Sequence, residues 1–204
     1  PYLIGKRMLQ RAVQACMDNG ELSEQQLLLM DDRALLNALD DSELPVVNTL
    51  TRHLRSEAGM YKTVIAIRGY GYAGEESTAG KPISVHEIDN DTRDRFISSF
   101  SKARNVTDLE DRLCAALHVP EGSILVTSMN DFHRLYEPDD VTLCGTASKK
   151  SFLEMRPRYR AYLQEKAESQ FAIRLVVPPG ERAERHMHTH EIYDAFKEIS
   201  GISP

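Results

Sequence analysis

The sequence lacks several features that would decide its class at once. No apolar run approaches the roughly 18 residues that a membrane-spanning helix needs, so we expect no membrane partner. The three cysteines form no CxxC pair, which excludes a zinc knuckle and a thioredoxin-like dithiol. Internal repeats, low-complexity segments and a signal peptide are absent as well. We therefore expect a folded protein of the reducing cytoplasm, with Cys16 and Cys114 as small buried hydrophobic residues.

Basic residues are also in the minority. Lys and Arg total 25 against 31 Asp and Glu, which gives a net charge of -6. A chain this acidic is a poor general binder of nucleic acid, so we expect no nucleic-acid partner. Hydrophobic residues make up 41% and charged residues 27% of 204, close to the globular average and enough for a sizeable core.

The first sixty residues carry the signals of helices. Ile4, Met8 and Ala12 repeat at a spacing that places them on one helical face. Further on, polar caps, proline and glycine punctuate the chain at short intervals. We predict an opening helix that stops at Asn19-Gly20, a second capped by Ser23 with Gln26 in capping-box position and running through Met30, a third capped by Asp32, and a fourth from Pro45 to Ala58, with Gly59 beyond its end.

After Gly59 the pattern changes to alternating β-branched residues, which indicates a strand at 60–67. The later segments alternate between patterns typical of strands and patterns typical of helices. We predict strands at 83–88, 123–127, 141–144 and 171–177, and helices at 92–103, 107–118 (capped by Thr107 with Glu110 in the box position), 151–167 and 189–199 (capped by Thr189). The expected fold class is α+β, with a helical segment at 1–59 followed by a mixed α+β domain at 60–204.

The glycine-rich loop that follows the first strand invites a nucleotide-binding interpretation. Residues 69–74 fit G-x-G-x-x-G, but Glu75 and Glu76 stand where a pyrophosphate would need helix amides. Residues 74–81 resemble a P-loop, but five residues separate the glycines, and Pro82 replaces the magnesium-binding hydroxyl. The sequence therefore excludes both motifs and favours a loop.

Three histidines alternate near the C-terminus, at His186, His188 and His190. On a strand, alternate side chains share a face, so these imidazoles could meet on one metal ion. The segment lies between a Pro-Pro-Gly turn and a helix, however, and no nearby Asp or Cys completes the site. Histidines facing solvent or a partner are the favoured interpretation, and a metal site is the weaker one.

Positive charge is concentrated at one place in this acidic chain. Lys149, Lys150, Arg156, Arg158 and Arg160 lie together, interleaved with two tyrosines. A nucleotide, a nucleic-acid strand or an acidic partner surface would suit such a cluster, whereas a solvated helix face is the plainer interpretation. Lys6, Arg7 and Arg11 form a second, smaller group on the first helix.

Five short motifs follow one another in order along nearly the whole chain. They are YLIGKRML at 2–9, LMDDRALL at 29–36, MYKTV at 60–64, VPEGSILV at 119–126 and IRLVVP at 173–178. This succession resembles the region that follows the catalytic centre in HD-domain phosphohydrolases of the dNTP triphosphohydrolase type. Lys62 matches the lysine of that family's R-x-L-Y-K junction, whereas Ala58 stands where the family has arginine.

The resemblance implies a non-catalytic role for this chain. The family's metal centre needs a histidine, a His-Asp dipeptide and a later aspartate, and this sequence contains no His-Asp dipeptide. We therefore expect no catalytic residue and no cofactor here, and a divalent metal (Mg, Mn, Fe or Zn) in an HD core upstream of Pro1. Partners implied are that core or a second copy of the chain.

The resemblance also implies a place for nucleotides. In tetrameric relatives, basic residues of this region contact allosteric nucleotides or line subunit interfaces. The nearest counterparts are Lys6, Arg7 and Lys62, to which the basic cluster adds Arg156 and Arg158 as phosphate-binding candidates. The expected function is oligomerisation with nucleotide sensing, and the alternative is a stand-alone binding or scaffold protein.

Overall fold

The computed structural model describes residues 2–55, 59–69, 83–128, 158, 171–180 and 188–202. Several predictions lie outside these residues: most of the glycine-rich loop, the strand at 141–144, and the helix at 151–167 apart from Arg158. Arg156, His186 and Cys144 lie outside them too.

The N-terminal part is helical, as predicted. It contains α1 (Tyr2–Asp18), α2 (Glu24–Leu29), α3 (Asp32–Asp40) and α4 (Pro45–Leu54). Gly20, at φ +75°, lies just beyond the end of α1, where a left-handed backbone favours glycine. The capping box of Ser23 and Gln26 is present. The cap of α3 is Asp31 rather than Asp32, because Asp31 has the extended backbone that lets its carboxylate accept from the Ala34 N–H.

In the described residues after Gly59, a four-stranded mixed sheet follows, together with three further helices. The elements are β1 (Lys62–Gly69), β2 (Ser84–Ile88), α5 (Asn90–Ser99), α6 (Ala103–Ala116), β3 (Leu125–Ser128), β4 (Ala172–Val177) and α7 (Thr189–Ser200). The strand order is β2-β1-β4-β3. β1 pairs with β2 in parallel, and β4 runs antiparallel to both β1 and β3. The predicted α+β class is confirmed.

The start of α6 differs from its prediction, and the difference matters for the site below. Thr107 was expected to cap this helix, but the helix begins one turn earlier, at Ala103, after Lys102. Thr107 is therefore an internal residue, and Glu110 is buried rather than part of a capping box.

The starts of α5 and α7 also differ from their predictions. Asp89 caps α5 and accepts from the Thr92 N–H at 2.6 Å, so Thr92 lies inside the first turn. His188 is the N-cap of α7 in place of Thr189, and its side chain makes no capping bond.

Hydrophobic cores lie on both faces of the sheet. One contains Ile65 and Ile67 of β1 with residues of α5, α6 and α7. The other contains residues of α1, α3 and α4 packed on Leu125 and Val176, which are paired across β3 and β4. The N-terminal helices therefore bury their apolar face on the α+β part, as strand alternation permits. Among the described residues, no helix has the length and apolar character needed to cross a membrane.

Candidate functional site

A buried ion pair joins α1 to α6. The guanidinium of Arg7 donates from Nε to Oε1 of Glu110 at 2.8 Å and from Nη2 to Oε2 at 2.6 Å. Glu110 is 0% exposed and Arg7 is 6% exposed. Nη2 of Arg7 also donates to Oγ1 of Thr107 at 3.0 Å, and the backbone N–H of Val126 donates to Oε1 of Glu110 at 2.7 Å. One carboxylate thus ties together α1, α6 and β3.

Opposing effects act on the pKa of Glu110. Burial raises this pKa because desolvation penalises the carboxylate, and this effect is the largest. The charge and hydrogen bonds of Arg7, the Val126 N–H and the charge of Arg11 act in the opposite direction. The carboxylate is therefore held in the core by its basic neighbours and would be costly to keep without them.

Arg11 lies one turn further along α1 and extends the cluster toward solvent. Its Nη2 donates to Oδ1 of Asp111 at 2.6 Å and lies 3.7 Å from Oε2 of Glu121. Its Nε is buried, makes no hydrogen bond within the described parts of the chain and lies 4.0 Å from Oε2 of Glu110. The arginine therefore lies between a buried carboxylate and two more accessible ones.

A groove of about 610 Å³ opens beside Arg11, between α1, the start of α4, α6 and the turn before β3. Its charged lining residues are Arg11, Arg104, Asp18, Asp108, Asp111 and Glu121. Four carboxylates against two guanidinium groups make it a poor place for a phosphate. The groove suits hydrogen-bond donors or positive groups.

A second polar cluster lies between β2 and α7. Nε2 of His86 is 2.8 Å from Oγ of Ser84, and its ring stacks on Tyr193 with centroids 3.5 Å apart. Burial lowers the pKa of His86, and the charge of Lys197 adds to this effect. The Tyr193 hydroxyl is buried and has no hydrogen-bond partner among the residues that the structure describes. Burial raises the pKa of Tyr193 as well.

A serine hydroxyl next to an imidazole is half of a nucleophile–base arrangement, which no sequence motif indicated. No carboxylate of the described residues hydrogen-bonds to His86 to complete a triad. The ring instead packs face to face on Tyr193, so the geometry supports a packing role that attaches α7 to the edge of the sheet.

The predicted phosphate-binding residues do not share one environment. Lys6 is half-buried on α1, and Lys62 is half-buried at the start of β1, opposite Val177. Arg158 is exposed. Arg7 is directed into the protein against Glu110, so phosphate could reach it only if that pair opened. Their role in binding phosphate stays a prediction.

Two of the alternating histidines lie at the start of a helix and not on a strand. His188 and His190 are both exposed, and their rings stack with centroids 5.5 Å apart. Because the helix begins at Thr189, the alternation that would align the imidazoles on a strand does not apply there. Within the described parts of the chain, no group of three His, Cys, Asp or Glu residues is placed to hold a metal.

Sequence reasoning missed Glu110, and the signal that would have found it is its position on an apolar stripe. Leu109, Leu113 and Cys114 form the buried face of α6, and Glu110 lies among them. Arg7 and Arg11 occupy the equivalent face of α1, beside Met8 and Ala12. A charge on a buried stripe requires an opposite charge nearby, so the two helices could have been paired through these residues.

The described fold is that of an α+β protein in which helices pack on both faces of a mixed sheet. Residues 3–95, which comprise α1 to β2 and the start of α5, match a protein family described as an HD associated region. This match supports a link to HD-domain proteins, and the family description names no reaction. No curated protein and no solved structure gave a significant match.

Proposed function

We propose that this chain is a non-catalytic C-terminal portion of an HD-type metal-dependent phosphohydrolase resembling the dNTP triphosphohydrolases. In this proposal it acts in the cytoplasm, supports oligomerisation and senses nucleotides. The observation that carries the proposal is the match of residues 3–95 to an HD associated region. The order of the sequence motifs is consistent with the same assignment.

The chemistry belongs to the HD core in this proposal. A divalent metal there activates water and offsets phosphate charge, which lowers the barrier of a very slow hydrolysis. The described residues of this chain offer no group of three ligands for such a metal. What they do offer is a structural link: Arg7, in the matched region, is paired with Glu110, outside it, and this pair joins α1 to α6.

Nucleotide sensing would use basic side chains that solvent can reach. Lys6, Lys62 and Arg158 meet this condition among the described candidates, and the acidic groove beside Arg11 does not. Lysine binds phosphate as a point charge, and such exposed contacts weaken with salt. The sensor is therefore expected at these basic positions and away from the groove.

A thermal-shift titration tests the sensing role. Each common dNTP and NTP at millimolar concentration should raise the Tm of the chain if it binds the folded state preferentially, and the shift should shrink with added salt. Lys6→Ala/Lys62→Ala should reduce the shift. Arg104→Ala/Arg112→Ala, which removes two exposed positive charges on α6, is the matched control and should not. No shift, or equal shifts in both double variants, contradicts nucleotide sensing at Lys6 and Lys62.

The alternative is a stand-alone binding or scaffold protein. It is favoured by one observation: the N-terminal helices bury an apolar face on the chain's own sheet. Hydrolysis assays separate the two functions. The chain alone, with manganese or magnesium, should not hydrolyse dNTPs, whereas a polypeptide that joins it to its HD core should. Turnover by the chain alone that disappears in His188→Ala would overturn the proposal and place the chemistry at the C-terminal histidines.

A further inference from the structure

The short helix α2 is rich in leucine but buries none of its residues. Its sequence is EQQLLL, and no residue from Glu24 to Leu29 is buried. Leu27 is half-buried against the N-terminal core, while Leu28 and Leu29 are 86% and 88% exposed. Single exposed leucines are ordinary on protein surfaces, but two adjacent ones on a fixed turn of helix form an apolar patch.

The helix is held in place independently of any partner. A six-residue helix is too short to be stable by propensity alone. Oγ of Ser23 accepts from the Gln26 N–H, and the Gln26 side chain accepts from the Ser23 N–H at 2.8 Å. The Met30 N–H bonds back to the Leu27 carbonyl. Leu28 and Leu29 are thus presented in a fixed conformation, which lowers the entropic cost of binding.

The negative charge of the protein is concentrated around this helix. Residues 20–43 contain seven acidic residues and one basic residue, Arg33, a net charge of -6. Removing these from the totals of 31 and 25 leaves 24 acidic and 24 basic residues in the rest of the chain. Asp40 pairs with Arg55 of α4, whereas Glu24, Asp31 and Asp32 are exposed. The whole net charge of the chain is therefore that of the segment that carries the two leucines.

We propose that Leu28 and Leu29, with Glu24, Asp31 and Asp32 close to them in the chain, form a docking surface for a protein partner that presents an apolar helix face flanked by Lys and Arg. The leucines supply affinity by losing water-exposed area, and the carboxylates supply steering and selectivity. A second copy of the chain in a symmetric contact would bring like charges together, and an anionic membrane would be repelled. This proposal does not depend on whether the partner is an HD core.

The test uses a synthetic, fluorescently labelled helical peptide with leucines on one face and lysines beside them. A scrambled peptide of the same composition has no apolar face. Anisotropy titration against the full chain should show binding of the patterned peptide at least tenfold tighter than of the scrambled one. Leu28→Ala/Leu29→Ala should weaken patterned binding at least tenfold, or about 1.4 kcal/mol. Glu24→Gln/Asp32→Asn should weaken it at low salt and much less at high salt.

Tyr2→Ala is the matched control, because Tyr2 is another large apolar side chain that is 80% exposed. It should leave the affinity unchanged. The leucine variant should also keep its Tm, since alanine is a good helix former and the leucines make no buried contact. Equal binding of the two peptides, or an unchanged affinity in the leucine variant, overturns the proposal. Self-association of the chain that the leucine variant abolishes would also overturn it, in favour of a second copy.

Discussion

Glu110 accepts two hydrogen bonds from the guanidinium of Arg7, at 2.8 and 2.6 Å, across 103 positions of the chain. Arg7 lies within the residues that match the HD associated region, and Glu110 lies beyond them. The pair therefore fixes the matched helices to a part of the fold that the match does not include. The free energy of unfolding that is lost when the pair is broken therefore measures how strongly it joins the two parts.

Replacing Glu110 should destabilise the protein strongly. In Glu110→Ala, Arg7 loses its carboxylate while it stays buried, and Arg11 loses its nearest buried negative charge. Breaking a buried pair in this way costs about 3–5 kcal/mol of the free energy of unfolding, measured by urea denaturation.

Two controls separate loss of the pair from loss of packing. Arg7→Met/Glu110→Leu should recover part of the stability, because an apolar replacement leaves no buried charge uncompensated, while the Val126 N–H still loses its acceptor. Arg112→Ala, an exposed residue on the same helix, should change the free energy of unfolding by no more than about 0.5 kcal/mol. A loss below about 1 kcal/mol in Glu110→Ala would show that the pair is not a structural link.

Tyr61 makes a second long-range contact that can be tested by removing one atom. Its hydroxyl donates to the Gly122 carbonyl at 2.7 Å in the core, and burial raises its pKa. Tyr61→Phe leaves that carbonyl without its donor, so the free energy of unfolding should fall by about 1–3 kcal/mol. Tyr2→Phe removes a hydroxyl from an exposed ring and should have no effect. Equal stability of the two variants would mean that water replaces the Tyr61 bond.

Local signals in the sequence predicted most helices and strands, while the site came from contacts that no local signal specifies. The Ser23–Gln26 box and the left-handed Gly20 depend on neighbouring residues alone, and both are confirmed. The pattern Thr107-x-x-Glu110 satisfied the same capping rule but lies inside a helix, because Arg7 and Val126 bind these side chains instead. The sequence of one helix therefore does not show whether such a Thr and Glu cap the helix or bind a buried arginine from another helix.

The stability of the protein should depend on pH through His86. Its pKa lies below the ordinary 6.5, so the unfolded chain binds more protons than the folded one between the two values. The contribution of neutral His86 to the free energy of unfolding is fully present above pH 6.5, and it is lost as the pH falls toward the folded-state pKa. Ser84, Tyr193 and Lys197 surround the ring. His86→Phe keeps an aromatic ring on Tyr193 but removes the titration.

The measurement is the free energy of unfolding of both proteins from about pH 8 to about pH 5, a range that brackets ordinary histidine titration. The wild type should lose more stability than His86→Phe over the acidic part of this range. His118→Asn removes an exposed histidine at φ 53°, a conformation that asparagine tolerates, and should follow the wild-type slope. Parallel curves for wild type and His86→Phe would assign the acid sensitivity to other groups.

The buried thiols should react only when the protein opens. Cys16 and Cys114 are buried, and burial raises the pKa of Cys114 to about 11. Because the thiolate is the nucleophile, both low access and low ionisation slow its attack on an aromatic disulfide reagent. In Cys144→Ser, which leaves these two thiols, labelling at mildly alkaline pH should be slow in the native state and rapid in urea. Adding Ser101→Cys, at an exposed position after α5, supplies a reference thiol in the same protein. Native labelling of all three thiols at one rate would show that α1 and α6 open freely, which the Arg7–Glu110 pair should prevent.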